Sequence, residues 1–195
     1  MYKGKYGKRE RINYQKIIKN FILNGVNVFD TARKYRSGYS EEDFGIVFLK
    51  LIKNKKIYRD QIYISSKAGL INFNPKKNKI VQLELLVKER GINKSDIKNQ
   101  IFCGNPKFLN QEINISLKNL KLKTLDNYYL HNPELLQGNN NKFKDYYKIF
   151  EMFEKAIQDN KIRSYGISSW AGFRRNKYSP FYIDIEKILN IAYEV

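Results

Sequence analysis

Four apolar segments of the chain each end in a polar side chain, and most of these can take part in proton transfer. Asp30 ends the segment VNVFD, Lys67 ends QIYISSK, and His131 ends LDNYYLH. Tyr35 follows Asp30 after a short polar interval, and Ser168 ends the fourth segment, IRSYGIS. Packing alone does not explain why a carboxylate, an ammonium and the single histidine of the chain all stand at the ends of apolar runs.

These residue types are the ones needed to reduce a carbonyl group. An unperturbed tyrosine keeps its proton until about pH 10, and a cation beside it favours the phenolate. Lys67 can supply that cation, Asp30 can hold Lys67 by an ion pair, and Tyr35 then becomes a useful proton donor near neutral pH. His131 can donate a hydrogen bond to the same substrate oxygen. Side chains cannot supply hydride, so the pattern implies a nicotinamide cofactor.

Each residue also has a purely structural interpretation. Asp30 can cap a turn, Tyr35 is one of 15 tyrosines, and His131 can be a hydrogen-bonded core histidine. A lysine at a buried strand end, such as Lys67, needs an anionic partner in any case. Ser168 can be a turn hydroxyl. The functional interpretation is favoured for the first four residues because consecutive segments present such groups at the same end.

The elements that must position these residues alternate between strands and helices. The four runs are short and rich in β-branched and aromatic residues, which predicts buried parallel strands over 26–30, 61–67, 125–131 and 162–168. Apolar residues at helical spacing predict helices over about 17–22, 40–51, 108–120, 146–157 and 183–193. Ser40 and Asp43 resemble a capping box at the start of the second helix.

Parallel strands joined by right-handed helical crossovers predict an α/β fold, a partial βα-barrel of the TIM-barrel type in a single domain over 1–195. Residues 70–106 are predicted to be a polar loop insertion on one face, with a short helix near 82–90, and 137–142 a second exposed loop. A complete barrel has eight strands in about 250 residues. Only four strands are evident, so we expect a barrel that is incomplete at both ends, with long open edges and an apolar inner face.

Charge and cysteine content restrict the other classes of function. The formal net charge is +18, but the positive residues are scattered and form no known nucleic-acid-binding motif, so no specific nucleic-acid partner is predicted. The single Cys103 excludes a disulfide framework and a thiolate cluster, and no metal site is predicted. The amino-terminal segment lacks a signal-peptide core, and no run approaches the roughly 18 apolar residues of a membrane helix. We therefore expect a cytoplasmic protein without a membrane partner.

Several stretches of the sequence resemble the aldo-keto reductase family. GVNVFDTARKYRSGYSEEDFG resembles its signature of Phe-Asp-Thr-Ala followed by Tyr and Ser-Glu, and YISSKAG resembles the segment with its catalytic lysine. INISLKNLKLKTLDNYYLHNP resembles the segment with its histidine, and NKIRSYGISSW resembles its Lys-Ile-Arg and Gly-Val-Ser-Asn segment. The similarity extends from about Gly25 to the end of the chain.

The resemblance implies reduction of a small carbonyl substrate to an alcohol. The implied catalytic tetrad is Asp30, Tyr35, Lys67 and His131, with Tyr35 as the general acid. The alternative is a catalytically silent half-barrel, a structural or regulatory module that self-associates or binds a complementing chain through its open edges.

The family also implies a cofactor, NADPH or NADH, which lies across the barrel mouth. This family has no Rossmann fingerprint, and the chain contains no G-x-G-x-x-G motif. The implied cofactor-binding residues are Asp30, Ser168 and Ser169. Ser169 stands where the family usually has asparagine, and a hydroxyl is shorter than an amide and has only one proton to donate.

Overall fold

Strands and helices alternate along the chain in the computed structural model, which describes residues 7–136 and 142–195. The helices are α1 (Lys8–Leu23), α2 (Tyr39–Lys53), α3 (Lys79–Arg90), α4 (Pro106–Leu120), α5 (Lys142–Gln158) and α6 (Ile185–Glu194). The strands are β1 (Val28–Asp30), β2 (Tyr63–Ala68), β3 (Ile97–Lys98), β4 (Phe102–Cys103), β5 (Asn127–His131) and β6 (Tyr165–Ser168).

Four of the strands form one parallel sheet in the order β1-β2-β5-β6. Each of the four overlaps a predicted strand but begins two or three residues later than predicted. The second strand continues one residue beyond Lys67, to Ala68. The helices connect the carboxyl end of each strand to the next strand, as parallel pairing requires.

The helices cover one face of the sheet and form the core. Phe29, Ile64 and Leu130 are buried on that face, and alternate residues of the same strands point to the other side. The predicted apolar stripes of α2, α4 and α5 contribute to the same core. In α1, however, only Ile18 and Ile22 are buried, so part of the predicted stripe lies outside the core.

The start of α2 differs from the predicted capping box. The helix begins at Tyr39 with Gly38 as its N-cap, and no side chain caps it. The Ser40 hydroxyl instead accepts a hydrogen bond from Thr31 Oγ1 at 2.9 Å, and Asp43 is used in ion pairs with other elements. The capping-box prediction was therefore wrong, because tertiary contacts take both side chains.

Residues 70–106 contain more regular structure than the predicted polar loop. They hold α3 and an antiparallel hairpin of β3 and β4. The hairpin is joined to the end of β2 by a hydrogen bond from Cys103 N to Gly69 O of 2.8 Å. Burial raises the pKa of the Cys103 thiol to about 12. Of the predicted loop at 137–142, residues 137–141 lie outside the described residues, and α5 begins at Lys142.

The open sides of the sheet also differ from expectation. Among the described strands, β1 and β6 form the two edges, and they have 3 and 4 residues, so the edges are short. The face away from the helices is not the apolar surface that was expected. It carries Asp30, Lys67 and His131, and its exposed apolar side chains include Val28 and Tyr63. In the ranges that the structure covers, no helix is both long enough and apolar enough to cross a bilayer.

Candidate active site

The sheet places the ends of its strands along an oblique line. The register pairs Asp30 with Ser65, Lys67 with Tyr129, and His131 with Ser168. Lys67 therefore lies two residues beyond Ser65, the partner of Asp30, and His131 lies two residues beyond Tyr129, the partner of Lys67. Because side chains alternate with a period of two, an offset of two keeps all of these side chains on the same face. The polar strand ends thus meet on the face opposite the helices.

The Lys67 ammonium lies under the Asp30 carboxylate and donates a hydrogen bond to its Oδ2 atom. The Lys67 side chain is only 3% exposed, whereas that of Asp30 is 53% exposed. Ser65 donates a second hydrogen bond, of 2.6 Å, to Asp30 Oδ1. The pair therefore joins a buried cation to a carboxylate that remains in contact with solvent.

The Tyr35 ring is close to both this ion pair and the imidazole. Lys67 Nζ is 4.9 Å from the centroid of the Tyr35 ring. The centroids of the Tyr35 and His131 rings are 5.9 Å apart, and the rings are nearly perpendicular. Tyr35 is 39% exposed. The structure thus brings the carboxylate, the ammonium, the phenol and the imidazole into one group that is open on one side.

His131 forms the buried end of this group. Burial, then the charges of Lys67 and Lys34, lower its pKa to about 4, against the opposing effect of Asp30. Its Nδ1 atom is buried and has no hydrogen-bond partner in the described part of the chain. At neutral pH the ring is therefore uncharged, and it keeps one N–H that can donate to a substrate oxygen.

The segment that carries Tyr35 continues along β2 after β1 has ended. Thr31 N donates to Ser65 O at 3.0 Å, and Arg33 N donates to Lys67 O at 3.1 Å. Tyr35 N then donates to Ala32 O at 3.0 Å and turns the chain. Because of these bonds, the phenol is held above the strand that carries the lysine.

The chain after Tyr35 has an unusual conformation. Arg36, Ser37 and Gly38 have φ angles of 50°, 55° and 91°, which lie in the left-handed region. Two non-glycine residues there cost free energy, and such strain persists only where neighbouring contacts hold it. One such contact is the ion pair of Arg36 Nη1 with Asp43 Oδ2 at 3.0 Å.

Gly69 lets β2 leave the sheet close to the site. Its φ of 123° is accessible to glycine, and an added Cβ would lie 2.7 Å from the Phe102 ring and 3.1 Å from His131 O. A larger residue would displace either the hairpin or the end of β5. The lack of a side chain at Gly69 thus leaves room for the hairpin and for the end of β5 beside β2.

The local field on this side of the site is positive. Partial burial, and then the charge of Lys79, lower the pKa of Lys34. Lys34 in turn contributes to the lowered pKa of His131. Lys34 and Lys79 therefore favour an anionic group near them, whereas the charge of Lys67 is compensated by Asp30.

The two serines predicted to bind the cofactor have different environments. Ser168 is half-buried at the end of β6, next to His131 in register. The Ser169 hydroxyl donates to Glu134 Oε2 at 2.9 Å and accepts from Gly172 N at 2.7 Å. Ser168 is thus positioned on the site face, whereas Ser169 is committed to the turn that follows β6.

The sequence analysis missed a buried charged cluster behind the Tyr35 segment. Arg33 pairs with Glu41 of α2 at 3.2 Å and with Glu112 of α4 at 2.9 Å. One signal could have revealed it. Glu41 lies three residues before Phe44, and Glu112 lies between Leu109 and Ile113 on the same stripe, so both carboxylates fall at core positions of amphipathic helices.

Comparison with known proteins gives consistent results. The family model described as Aldo/keto reductase family matches residues 1–178. The glycerol dehydrogenase from Gluconobacter oxydans is similar in structure, with a TM-score of 0.60 and 21% identity over 97% of this chain and 43% of that chain. An aldo-keto reductase from Bacillus halodurans in its holo form has a TM-score of 0.56 and 24% identity over 82% and 42%.

A Bombyx mori aldo-keto reductase in complex with NADP has a TM-score of 0.50 and 19% identity over 85% of this chain and 42% of that chain. No curated protein sequence matches the chain. The chain spans less than half the length of each of these three structures. The likeness confirms the prediction of a partial βα-barrel with parallel strands that alternate with helices.

Proposed function

The chain belongs to the aldo/keto reductase family, and on that basis we propose that it is an oxidoreductase that reduces a small carbonyl substrate with NADPH or NADH. The observation that carries the proposal is the position of the Tyr35 ring, 4.9 Å from Lys67 Nζ and 5.9 Å from the His131 ring. A phenol whose ring is close to a buried ammonium and to a neutral imidazole is suited to protonating an oxygen.

In the proposed reaction, the carbonyl carbon gains a hydride and its oxygen gains the proton of Tyr35, which yields an alcohol. Tyr35 recovers its proton from solvent through its exposed side. The Lys67 ammonium stabilises the phenolate that Tyr35 leaves behind, and Asp30 holds that ammonium in place. The neutral His131 ring donates a hydrogen bond that orients the carbonyl oxygen.

A reduced nicotinamide supplies the hydride in this proposal. The chain offers part of a seat for it: Ser168 is next to His131 in register at the end of β6, and Lys34 is close enough to His131 to lower its pKa. Ser168 and Asp30 are the residues that we propose to contact the cofactor. Ser169 would have to give up its bonds to Glu134 and Gly172 to do so.

The test measures NADPH binding and turnover with the purified chain. NADPH fluorescence gives Kd, and NADPH oxidation with 4-nitrobenzaldehyde gives kcat and KM. We expect Tyr35→Phe to lower kcat by at least about a hundredfold, since it removes the proton donor, and to change the NADPH Kd by less than about twofold. Undiminished turnover in this variant would remove Tyr35 from its role.

A matched control for this test is Tyr58→Phe. Tyr58 is 63% exposed and precedes β2 at the opposite end of the sheet. The same loss of a hydroxyl there should leave both kcat and Kd unchanged. A parallel loss of turnover in the two variants would mean that the Tyr35 effect is not local.

A catalytically silent assembly module is the second candidate. It is favoured by the share of the related structures that the chain spans, 42–43%, and by the exposure of Val28, 64%, on the edge strand β1. The short edges weaken it. Sedimentation that shows self-association, together with no NADPH binding at any concentration tested, would favour this candidate over the reductase.

A further inference from the structure

We propose that Arg33 is a positioning residue for Tyr35, acting through a buried cluster of charges on the helix side of the sheet; this inference rests on the proposed function. The cluster contains Arg33, Glu41 and Glu112 at its centre and Arg90 at its edge. None of these side chains contributes to the tetrad. Their contacts nevertheless determine where the Tyr35 segment lies.

Arg33 uses its side chain and its main chain on different elements. Its Nη1 atom donates to Glu41 Oε2 of α2, and its Nε atom donates to Glu112 Oε2 of α4. Its backbone N–H donates to Lys67 O, on the strand that carries the ammonium. One residue thus links α2, α4 and β2 two positions before Tyr35.

The two carboxylates are shared among several further donors. Glu41 accepts from Ser66 Oγ at 2.6 Å and from Asn119 Nδ2 at 3.0 Å. Glu112 accepts from Arg90 Nη2 at 3.2 Å. Ser66 is adjacent to Lys67 in β2, so the cluster also fixes the strand beneath the tetrad. Each carboxylate oxygen therefore has a defined partner, which makes the arrangement rigid.

The charges of the cluster balance. Two guanidinium groups face two carboxylates, and Glu41 is completely buried. Burial opposes the charge of Arg33, but Glu112 and then Glu41 outweigh it, so the pKa of Arg33 is raised. A buried charge without its partner is strongly unfavourable. The guanidinium therefore stays in place between the two helices.

Close contact of α2 and α4 makes this geometry possible. An added Cβ on Gly45 would lie 2.0 Å from Asn119 O, so the two backbones touch. That contact brings Glu41 and Glu112 within reach of a single guanidinium. The planar fork of arginine suits two carboxylates at once, whereas the single ammonium of lysine does not.

The cluster matters for the proposed reaction because the Arg33 side chain anchors the Tyr35 segment to two helices at once, in addition to its backbone bonds and the ion pair of Arg36 with Asp43. The residues after it have left-handed φ angles, and its ring is 39% exposed. Misplacement of a reacting group by about 1 Å can cost about a hundredfold in rate. Loosening Arg33 should therefore reduce turnover without affecting the binding of cofactor or substrate.

The test replaces Arg33 by lysine, which keeps the charge and the fold but loses the fork. In Arg33→Lys we expect kcat to fall at least about tenfold, with KM and the NADPH Kd within about twofold of the wild type. Amide hydrogen exchange in residues 31–38 should become faster, as measured by mass spectrometry. Arg59→Lys is the matched control, because Arg59 makes a partly buried ion pair with Asp126 at the opposite end of the sheet.

The outcomes separate this inference from the proposed function. Equal kcat values in Arg33→Lys and Arg59→Lys would overturn the positioning role, even if the wild type is a reductase. If the wild type shows no NADPH-dependent turnover, the proposed function fails. Hydrogen exchange then tests by itself whether Arg33 holds residues 31–38 in place. Faster exchange at 31–38 in Arg33→Lys alone would then support it, and unchanged exchange would overturn it.

Discussion

The two ends of the parallel sheet each carry a buried ion cluster, and the two clusters are built differently. At the amino end, Asp126 accepts hydrogen bonds from Ile64 N at 2.8 Å and from Arg59 at 2.8 Å, and it pairs with Arg163 at 3.1 Å. At the carboxyl end, Lys67 is buried but its partner Asp30 is half exposed, and the Nδ1 atom of His131 has no partner within the described residues.

This difference separates stability from function. The amino-end cluster saturates its carboxylate and ties together the starts of three strands, as a structural cluster should. At the carboxyl end, His131 Nδ1 is buried without a partner among the described residues and Tyr35 is 39% exposed, so this cluster is less completely paired, as the proposed active site would require. A sequence usually departs from full polar satisfaction where a function requires it.

Single substitutions at the two ends of the sheet should show the largest difference between an effect on turnover and an effect on stability. We expect Lys67→Met to lower the proposed reductase turnover by about a thousandfold, since the phenol loses its cation. Its free energy of unfolding should change by less than about 1 kcal/mol, because the Asp30 carboxylate that remains is solvated. Steady-state kinetics and urea unfolding measure the two effects.

Asp126→Asn is the matched variant at the amino end. It should lower the free energy of unfolding by about 2 kcal/mol, because the partly buried Arg59 loses its counter-charge, although Arg163 stays largely solvated. Turnover per folded molecule should remain that of the wild type. The comparison fails if Asp126→Asn abolishes turnover in folded protein, or if Lys67→Met unfolds the chain.

An intermediate effect is expected from pH. The folded pKa of His131 is about 4, below the ordinary value of 6.5, so the unfolded chain binds the proton first as pH falls. Stability from this residue is complete above pH 6.5 and is lost on acidification towards pH 4. The loss amounts to about 3 kcal/mol, at about 1.4 kcal/mol per pH unit.

The variant His131→Gln isolates this contribution, because glutamine does not titrate in this range. The difference in unfolding free energy between the wild type and this variant should shrink by about 3 kcal/mol from pH 7 to pH 4. Urea unfolding at the two pH values measures it. A pH-independent difference would mean that the buried imidazole does not titrate in the way proposed.

The smallest expected effect concerns the second hydrogen bond to Asp30. Ser65→Ala removes the 2.6 Å bond to Oδ1 and leaves the pair with Lys67 intact. A hydrogen bond of this kind contributes about 1 kcal/mol, so turnover should fall by roughly fivefold. A loss as large as that of Lys67→Met would show that Ser65, rather than Lys67, fixes the carboxylate.

Much of the fold could be predicted because the signals are local. Each buried strand is an apolar run that ends in a polar residue, and each core helix has apolar residues at regular spacing. The positions of Asp30, Lys67 and His131 at the strand ends follow from these runs. That the three side chains share one face depends on the register, which the sequence alone does not reveal.

The remaining features depend on contacts between distant residues. Arg33 and Glu112 are 79 positions apart, and although Glu112 stands on the apolar stripe of its helix, nothing in the sequence pairs it with Arg33. The hairpin of β3 and β4 has strands of 2 residues, too short to show an alternating pattern. Ser40 matched a capping motif, but Thr31 binds its hydroxyl instead.

The oblique line of strand ends has a consequence for biosynthesis. Asp30 and His131 are about one hundred positions apart, so a nascent chain exposes its carboxylate, phenol and amine long before the imidazole has been translated. Contacts over such distances form late, because the intervening chain must first be ordered. The proposed site is therefore assembled only when β5 docks beside β2.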